Sequence, residues 1–398
     1  MSKHRNELGL LAAILVVITI TASFDRAYRL DPARNAQVIL HQASLLGIFA
    51  LGAATVIIAG GIDLSSGSVI AFSGTVSLSI LYVLAPLDEQ GKPIMDDFPV
   101  WMLAVSFLGT MLAAILIGSF HAWLITAVGL PPFVATLASL VGLRSLAQVL
   151  LTNVTKAVTN ESNTQIYIYD ERFRTLGRSW WIPLVVFLFL SFVMWIVLSK
   201  TVLGRRLYAM GGNEEAARLS GIRTDRMKWV AYCIGSVTAA IAGILWTGYV
   251  GMAQPSTQGM GEELNAIACA VVGGVSLQGG VGTILGTMLG AVFLRVVIDS
   301  VAKLVKSQPD EFQGLIVGSL VVLAVAFNEI RRAGGLKRKF FPGALGTVNI
   351  GILSLLAGTM AGLILKTNKL PIGASVGLLV LLILGTKKWS EVRTNRPA

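Results

Sequence analysis

Charge is the scarcest commodity in this sequence. Only 13 % of its 398 residues are Asp, Glu, Lys or Arg, about half the share of an ordinary soluble domain. There are two cysteines, Cys233 and Cys269, both inside apolar runs, so neither a disulfide framework nor a cysteine metal site is expected. The three histidines, His4, His41 and His121, lack metal-ligand spacing. No G-x-x-x-x-G-K-[ST] loop occurs, which excludes nucleotide binding by a phosphate loop. Short alternating segments do not dominate, and that argues against a transmembrane β-barrel. The first apolar run, after the basic start MSKHRNE, has no clear small-x-small cleavage site, so it reads as an uncleaved span rather than a signal peptide.

Apolar residues are abundant: 54 % of the chain, with a mean hydropathy of +0.74. Runs near the ~20 residues of a membrane span recur, at 8–23, 38–62, 64–84, 101–128, 133–151, 181–198, 229–250, 264–277, 281–301 and 312–330. Two more follow at 343–365 and 370–385. The fold class is therefore an all-α polytopic membrane protein, a ten-span core (1–334) with two extra C-terminal spans (335–398). The net charge of +11 gathers in short loops beside apolar runs. That is an orientation signal and a contact with anionic headgroups of the bilayer, not a nucleic-acid footprint. Placing Lys200–Lys228 and Arg331–Lys339 inside puts the N-terminus inside too. The short segment 264–277 must then cross, in a broken form.

The most hydrophilic stretch between spans is 204–228. Within it Asn213 reads as an N-cap and Glu214 and Glu215 fill a dipole-favoured first turn. Ala216, Arg218 and Leu219 continue the helix after Gly212, and Gly221 supplies a left-handed stop. Arg205, Arg206, Arg218, Arg223, Arg226 and Lys228 surround it. This is either a solvated cap on two spans or a rigid docking element.

Other polar groups stand beside or inside spans. In GGIDLSSGSVIAFSG, from Gly60, a glycine pair breaks the helix and Asp63 is placed to cap the next one through Ser65 or Ser66. It either gates a path or only satisfies backbone donors that lipid could not. Arg144, in PFVATLASLVGLRS with Phe133 and Thr136, needs a partner: a backbone carbonyl or a carboxylate such as Glu161. Asn35, Gln37, His41, Gln42 and Ser44 lie on the first turns of the second span. Gly235/Ala239/Gly243 and Gly282/Gly286/Gly290 form close-packing faces. Glu263 and Asn265 follow the AQP stretch, and GGVSLQGG at 273–280 echoes GGIDLSSG at 60–67. Arg295 and Asp299 stand four apart and are expected to pair. The last two spans hold no ionisable residue in 343–365 or 370–385 and read as peripheral, or as a partner surface.

GGNEEAARLSGI resembles the cytoplasmic coupling segment of the permease subunits of ribose, galactoside and xylose-type sugar ABC importers. GIDLS followed by GS, the P-x-F-[IV]-x-T-L run and the AQP…ELNAIACAVVGGVSLQGGVG run are similar to the same family over about 35–330. The resemblance implies a translocation subunit without its own nucleotide site, whose coupling helix at Gly212–Gly221 is gripped by a separate cytoplasmic ATPase that binds ATP and Mg. It implies a second permease copy as a homodimer, an extracytoplasmic sugar-binding protein, and the bacterial cytoplasmic membrane as location. Asp63, Ser65, His41, Gln42, Phe133, Thr136, Arg144, Glu263 and Asn265 are its translocation or gating candidates. His41 stands where the family commonly has Gln and Ser66 where Val is common, and the ninth span carries Arg295 and Asp299 in place of an Asn-rich pattern, so ribose itself does not follow. Two other classes remain. An ion-coupled carrier would lean on Asp299, and an intramembrane hydrolase on His121 with a serine; neither needs a capped docking helix.

Overall fold

A polar first turn hides a helix start from any reading by hydropathy, and the caps show where the starts lie. In the computed structural model of the protein, which describes residues 5–304, 314–320, 322, 326, 341, 343–364 and 369–393, the second span begins at Pro32 rather than Val38. Asp31 accepts from the Arg34 amide at 3.0 Å and proline occupies the first turn, where its missing N–H costs nothing. The fifth span likewise runs on to Thr159, where Asn160 closes it in the left-handed region at φ 59°.

The helices are α1 (Arg5–Phe24), α2 (Arg26–Leu30), α3 (Pro32–Ile58), α4 (Ser66–Leu84), α5 (Val100–Thr126) and α6 (Pro132–Thr159). They continue with α7 (Glu171–Arg178), α8 (Trp181–Lys200), α9 (Val202–Gly212), α10 (Glu214–Leu219), α11 (Thr224–Val250), α12 (Glu262–Val272) and α13 (Ile284–Leu304). Strands β1 (Ile166–Tyr167) and β2 (Met252–Ala253) pair antiparallel, Ile166 opposite Ala253. The chain divides into two units, Met1–Val325 and Ala326–Ala398. The second contains α14 (Gly343–Ile364) and α15 (Lys369–Arg393), packed on each other at Gly358, Gly373 and Gly377. The expected tenth span, 312–330, and the basic cluster Arg331–Lys339 lie mostly outside the described residues.

Among the described residues ten helices are long and apolar enough to cross a membrane, α14 and α15 included. The protein is a multi-pass membrane protein. From Ile39 onward nearly all of α3 is buried; it packs on α8, α11, α12 and α13 and is the axis of the first unit. Helix α11 joins it at Gly52, whose added Cβ would lie 2.9 Å from the Gly235 Cα. Gly243 meets the α4 backbone at Ile70, and Gly286 and Gly290 meet α12 at Gly273 and Cys269. The two glycine faces are packing faces. By contrast the exposed faces of α5 and α8 are mainly large apolar side chains, such as Leu108, Leu112, Leu188 and Phe192, as lipid contact requires.

The eighth segment departs from a span of ordinary form. Helix α12 has 11 residues, about 16 Å at 1.5 Å per residue, roughly half the ~30 Å hydrocarbon thickness. The rest of the crossing is non-helical. From β2, held against β1 at one end of the bundle, residues 254–261 run back as a chain of turns to the start of α12. Past α12, Gly280 reaches the end of α3 at the other end.

Candidate functional site

Helix α10 is built from its own sequence. The Asn213 Oδ1 accepts from the Ala216 amide at 3.0 Å, a cap worth about 1 kcal/mol. At the other end Gly221, φ 81°, donates to the Arg218 carbonyl, and the Ile222 amide reaches the Ala217 carbonyl at 3.0 Å. That pair of bonds is the glycine stop that satisfies the last carbonyls of a helix. Glu214 pairs with Lys228 at 2.6 Å and Arg218 at 3.6 Å, tying α10 to the second turn of α11. Partial burial pushes the Glu214 carboxyl up, but Lys228, Thr224 and Arg218 together outweigh it and hold the group below its ordinary value. Only Ala217 is buried. Glu215, Ala216 and Arg218 are exposed, and Leu219 is 84 % exposed, a large apolar side chain standing out of a charged loop.

Behind α10 lies a junction of glycine backbones. An added Cβ on Gly211, in the last turn of α9, would sit 1.8 Å from the Ile58 carbonyl oxygen and 2.7 Å from the Gly280 nitrogen. The Gly280 amide donates to that same Ile58 carbonyl at 2.9 Å. Three chain segments therefore meet with no side chain between them. Gly60 and Gly279 belong to this junction, so the two similar stretches GGIDLSSG and GGVSLQGG touch each other. Their backbones correspond with an offset of one residue. Helix α3 ends on Gly60 (φ 86°) and α12 on Gly274 (φ 93°), each with the same glycine stop, whereas the letters align Gly60 with Gly273.

Two residues beyond Gly61 the chain is still non-helical. Asp63, 3 % exposed, accepts from the Ser65 amide at 2.8 Å and the Ser65 hydroxyl at 2.6 Å. The Ile62 carbonyl is met by the hydroxyls of Thr136 and Tyr232, each at 3.3 Å. The broken connection α3–α4 is thus pinned by α6 and α11 on one side and by Gly211 on the other. His121 packs edge-on against Tyr232, with ring centroids 6.2 Å apart. Among the described residues neither of its ring nitrogens has a hydrogen-bond partner, so none of their serines stands where a hydrolase reading needs one.

Higher in the bundle Arg144 finds its partners. Its guanidinium donates to the carbonyls of Pro255, at 2.6 Å, and Gln258, at 3.0 Å. The backbone carbonyl was one of two readings, and exposed Glu161 is not involved. Glu263, 9 % exposed, is close enough for its charge to act on Arg144, and its Oε2 has no hydrogen-bond partner. Gly67 leaves room for that oxygen, which would lie 2.1 Å from an added Cβ. Asn265 donates to Glu262 at 3.2 Å. The expected Arg295–Asp299 pair is corrected. Arg295 reaches across to Glu262 at 3.2 Å, and Asp299 takes Lys303 at 2.8 Å, whose ammonium also donates to Asn35. A carboxylate on the neighbouring α12 reaches Arg295 better than the one a turn away, and that one pairs with the cation a turn further along α13.

The remaining candidates separate. His41 is buried nine residues inside α3, its Nε2 2.6 Å from the Gly177 carbonyl and its ring 4.8 Å from that of Tyr249. With Gln42 it lines a cleft of about 530 Å³, with Arg34, Gln37, Arg178 and Trp181, at the end of the bundle opposite α10. Phe133 is 50 % exposed on the outer face of α6 and joins neither group. Sequence reasoning missed Gly211, Tyr232, Gln258 and Glu262. For Gly211 a signal existed, a second glycine beside Gly212 at the end of an amphipathic helix.

Comparison with known proteins agrees with this architecture. Residues 35–325 match the family model described as branched-chain amino acid transport system / permease component. The chain is 34 % identical over 346 residues to the ribose import permease protein RbsC of Bacillus subtilis, covering 84 % of this chain and 94 % of that one. It is 35 % identical over 298 residues to the ribose import permease protein RbsC of Escherichia coli K12, covering 74 % and 84 %. It is 28 % identical over 369 residues to the xylose transport system permease protein XylH of E. coli K12, covering 79 % and 89 %. No solved structure matches. The chain belongs to this family of transport-system permease components, as a transmembrane permease subunit of the type to which the ribose and xylose permeases belong.

Proposed function

We propose that this chain is the translocation subunit of an ATP-driven sugar importer, working as a homodimer in the cytoplasmic membrane with its N-terminus inside. A cytoplasmic ATPase that binds ATP and Mg grips α9 and α10, and an extracytoplasmic sugar-binding protein delivers the cargo. The observation that carries this reading is the short path of rigid contacts from α10 to the break between α3 and α4. A helix stopped at both ends and clamped by Glu214–Lys228 abuts backbone that a side chain would wedge apart. A force applied at Leu219 or Glu215 reaches Gly60 without a compliant side chain in between. An ion-coupled carrier is less well served, because Asp299 is already paired with Lys303. The sugar class rests on the relatives' names, ribose and xylose, and on the same stretches of sequence.

Glu215→Lys tests the docking. The side chain is exposed, so the permease alone loses little, while the substitution reverses charge at the contact and sits at the wrong end of the helix dipole. Gly221→Val denies the helix its stop, since a β-branched residue resists positive φ. Both variants are expected to insert normally and to lose ATPase co-purification or substrate-stimulated hydrolysis. Full coupling in both would make the loop a cap and nothing more. A chain cut after Lys339, which removes α14 and α15, is expected to retain uptake wherever membrane levels are normal. Normal levels with no uptake would put the tail in the path.

A further inference from the structure

We infer that residues 254–265 form the surface on which two copies of this chain meet, and that the transport path runs between them there. This rests on the permease reading above and deepens it by naming the surface. The first observation is depth. Arg144 lies near the middle of the 28-residue α6, about 18 Å from its start at 1.5 Å per residue. Its guanidinium holds Pro255 and Gln258, which fixes 255–258 well inside the hydrocarbon thickness.

The second observation is backbone. Between β2 and α12 the chain makes only isolated turns, such as Gln258 N to Gln254 O and Met260 N to Thr257 O. Gly259 and Gly261 have φ of 66° and 79°, and nothing lies within 4 Å of a Cβ built on Gly261. Irregular backbone at membrane depth is tolerated where protein covers it or water lines it, not where lipid does.

The third observation is what the face exposes. Ser256 and Thr257 are exposed, Met260 is 73 % exposed and Leu264 59 %. On the flank supplied by α6, Gly142, Ser145 and Gln148 are exposed as well. Elsewhere the bundle shows lipid the apolar faces of α5 and α8, whereas on this face polar and small residues are interleaved with Met260, Leu264, Val141, Leu146 and Val149. A second copy related by a two-fold axis covers it with the same chemistry, small residues and hydroxyls against their equivalents. Met260 and Leu264 of each copy then stand opposite one another as the narrow apolar point of the path. Glu262 is balanced by Arg295 and leaves the wall without a net charge there.

Cysteine cross-linking in membranes that contain the ATPase tests this. The native Cys233 and Cys269 are buried, so the background is low. Met260→Cys and Leu264→Cys are expected to give a covalent dimer with a mild oxidant, and Leu188→Cys, on α8, is not. Thr257→Cys is expected to react with a membrane-impermeant maleimide at least tenfold faster than Leu188→Cys. ATPase co-purification with each variant reports separately on the permease reading and on folding. Folded variants that bind the ATPase but give no dimer at 260 or 264, with position 257 reached only by a lipid-soluble maleimide, overturn the proposal.

Discussion

Gly211→Ala is expected to abolish uptake and reduce the folded protein, while its neighbour Gly212→Ala is neutral or mildly stabilising. The contrast is in the contacts. A Cβ at 211 would stand 1.8 Å from the Ile58 oxygen and 2.7 Å from the Gly280 nitrogen, both backbone, so no rotamer change relieves it. Either α9 backs away or the hydrogen bond between Gly280 and Ile58 breaks. Overpacking a well-filled site costs about 1–3 kcal/mol and occasionally more, and a lost backbone bond adds about 1 kcal/mol. Built on Gly212, the same atom meets nothing within 4 Å. There alanine gains up to about 1 kcal/mol of helix propensity over glycine, less what the helix end forfeits. The measurements are thermal stability of the detergent-solubilised protein and uptake in cells. Wild-type uptake with Gly211→Ala would mean that the three backbones do not stay in contact through the cycle, and the route from α10 to the break would fall with it.

What sequence could reveal here was local. Asn213 and Gly221 act on amides and carbonyls within a few residues of themselves, and Glu214 and Glu215 sit in the first turn between them, so their spacing alone defines α10. The same holds for Asp63 and Ser65, and in a coarse way for the spans, whose composition is dictated by the medium around them. The ends of spans were misjudged where polar residues belong to the helix, as from Pro32 to Gln37, because hydropathy registers the solvent and not the cap. Partners at long range were not legible. Arg144 bonds to carbonyls more than a hundred residues away, and every residue type offers a carbonyl. Arg295 was assigned to Asp299 because helical spacing is visible in a string, whereas the approach of α12 to α13 that brings in Glu262 is not. The broken crossing was flagged by the shortness of the apolar run 264–277, the neighbouring glycines and the positive-inside bias. Its non-helical half, 254–261, was not legible, because hydropathy carries no sign of a chain of turns.

Replacing Arg144 separates stability from function, because two costs of similar size oppose each other. An arginine at mid-membrane carries an insertion cost of about 2.5–3.5 kcal/mol on translocon scales. Its removal as Arg144→Met recovers that cost but strands the carbonyls of Pro255 and Gln258, at about 1–3 kcal/mol each. The two nearly cancel, so membrane levels of Arg144→Met are expected to stay within about twofold of wild type. Uptake is expected to fall at least tenfold, since among the described residues nothing else holds both carbonyls, and residues 254–261 lose their shape. Arg144→Lys should be the worse folder of the two. It keeps the charge and its insertion cost, yet an ammonium lacks the planar fork that reaches two carbonyls at once. Glu263 supplies a further check. Without the guanidinium its buried carboxylate loses the charge that balances it, so Glu263→Gln is expected to improve the membrane level of Arg144→Met without restoring uptake. Immunoblots of membranes and uptake of radiolabelled sugar read the two effects apart. Full uptake by Arg144→Lys would show that one carbonyl contact suffices, and the ordering of the non-helical crossing would have to come from the glycines that cradle it.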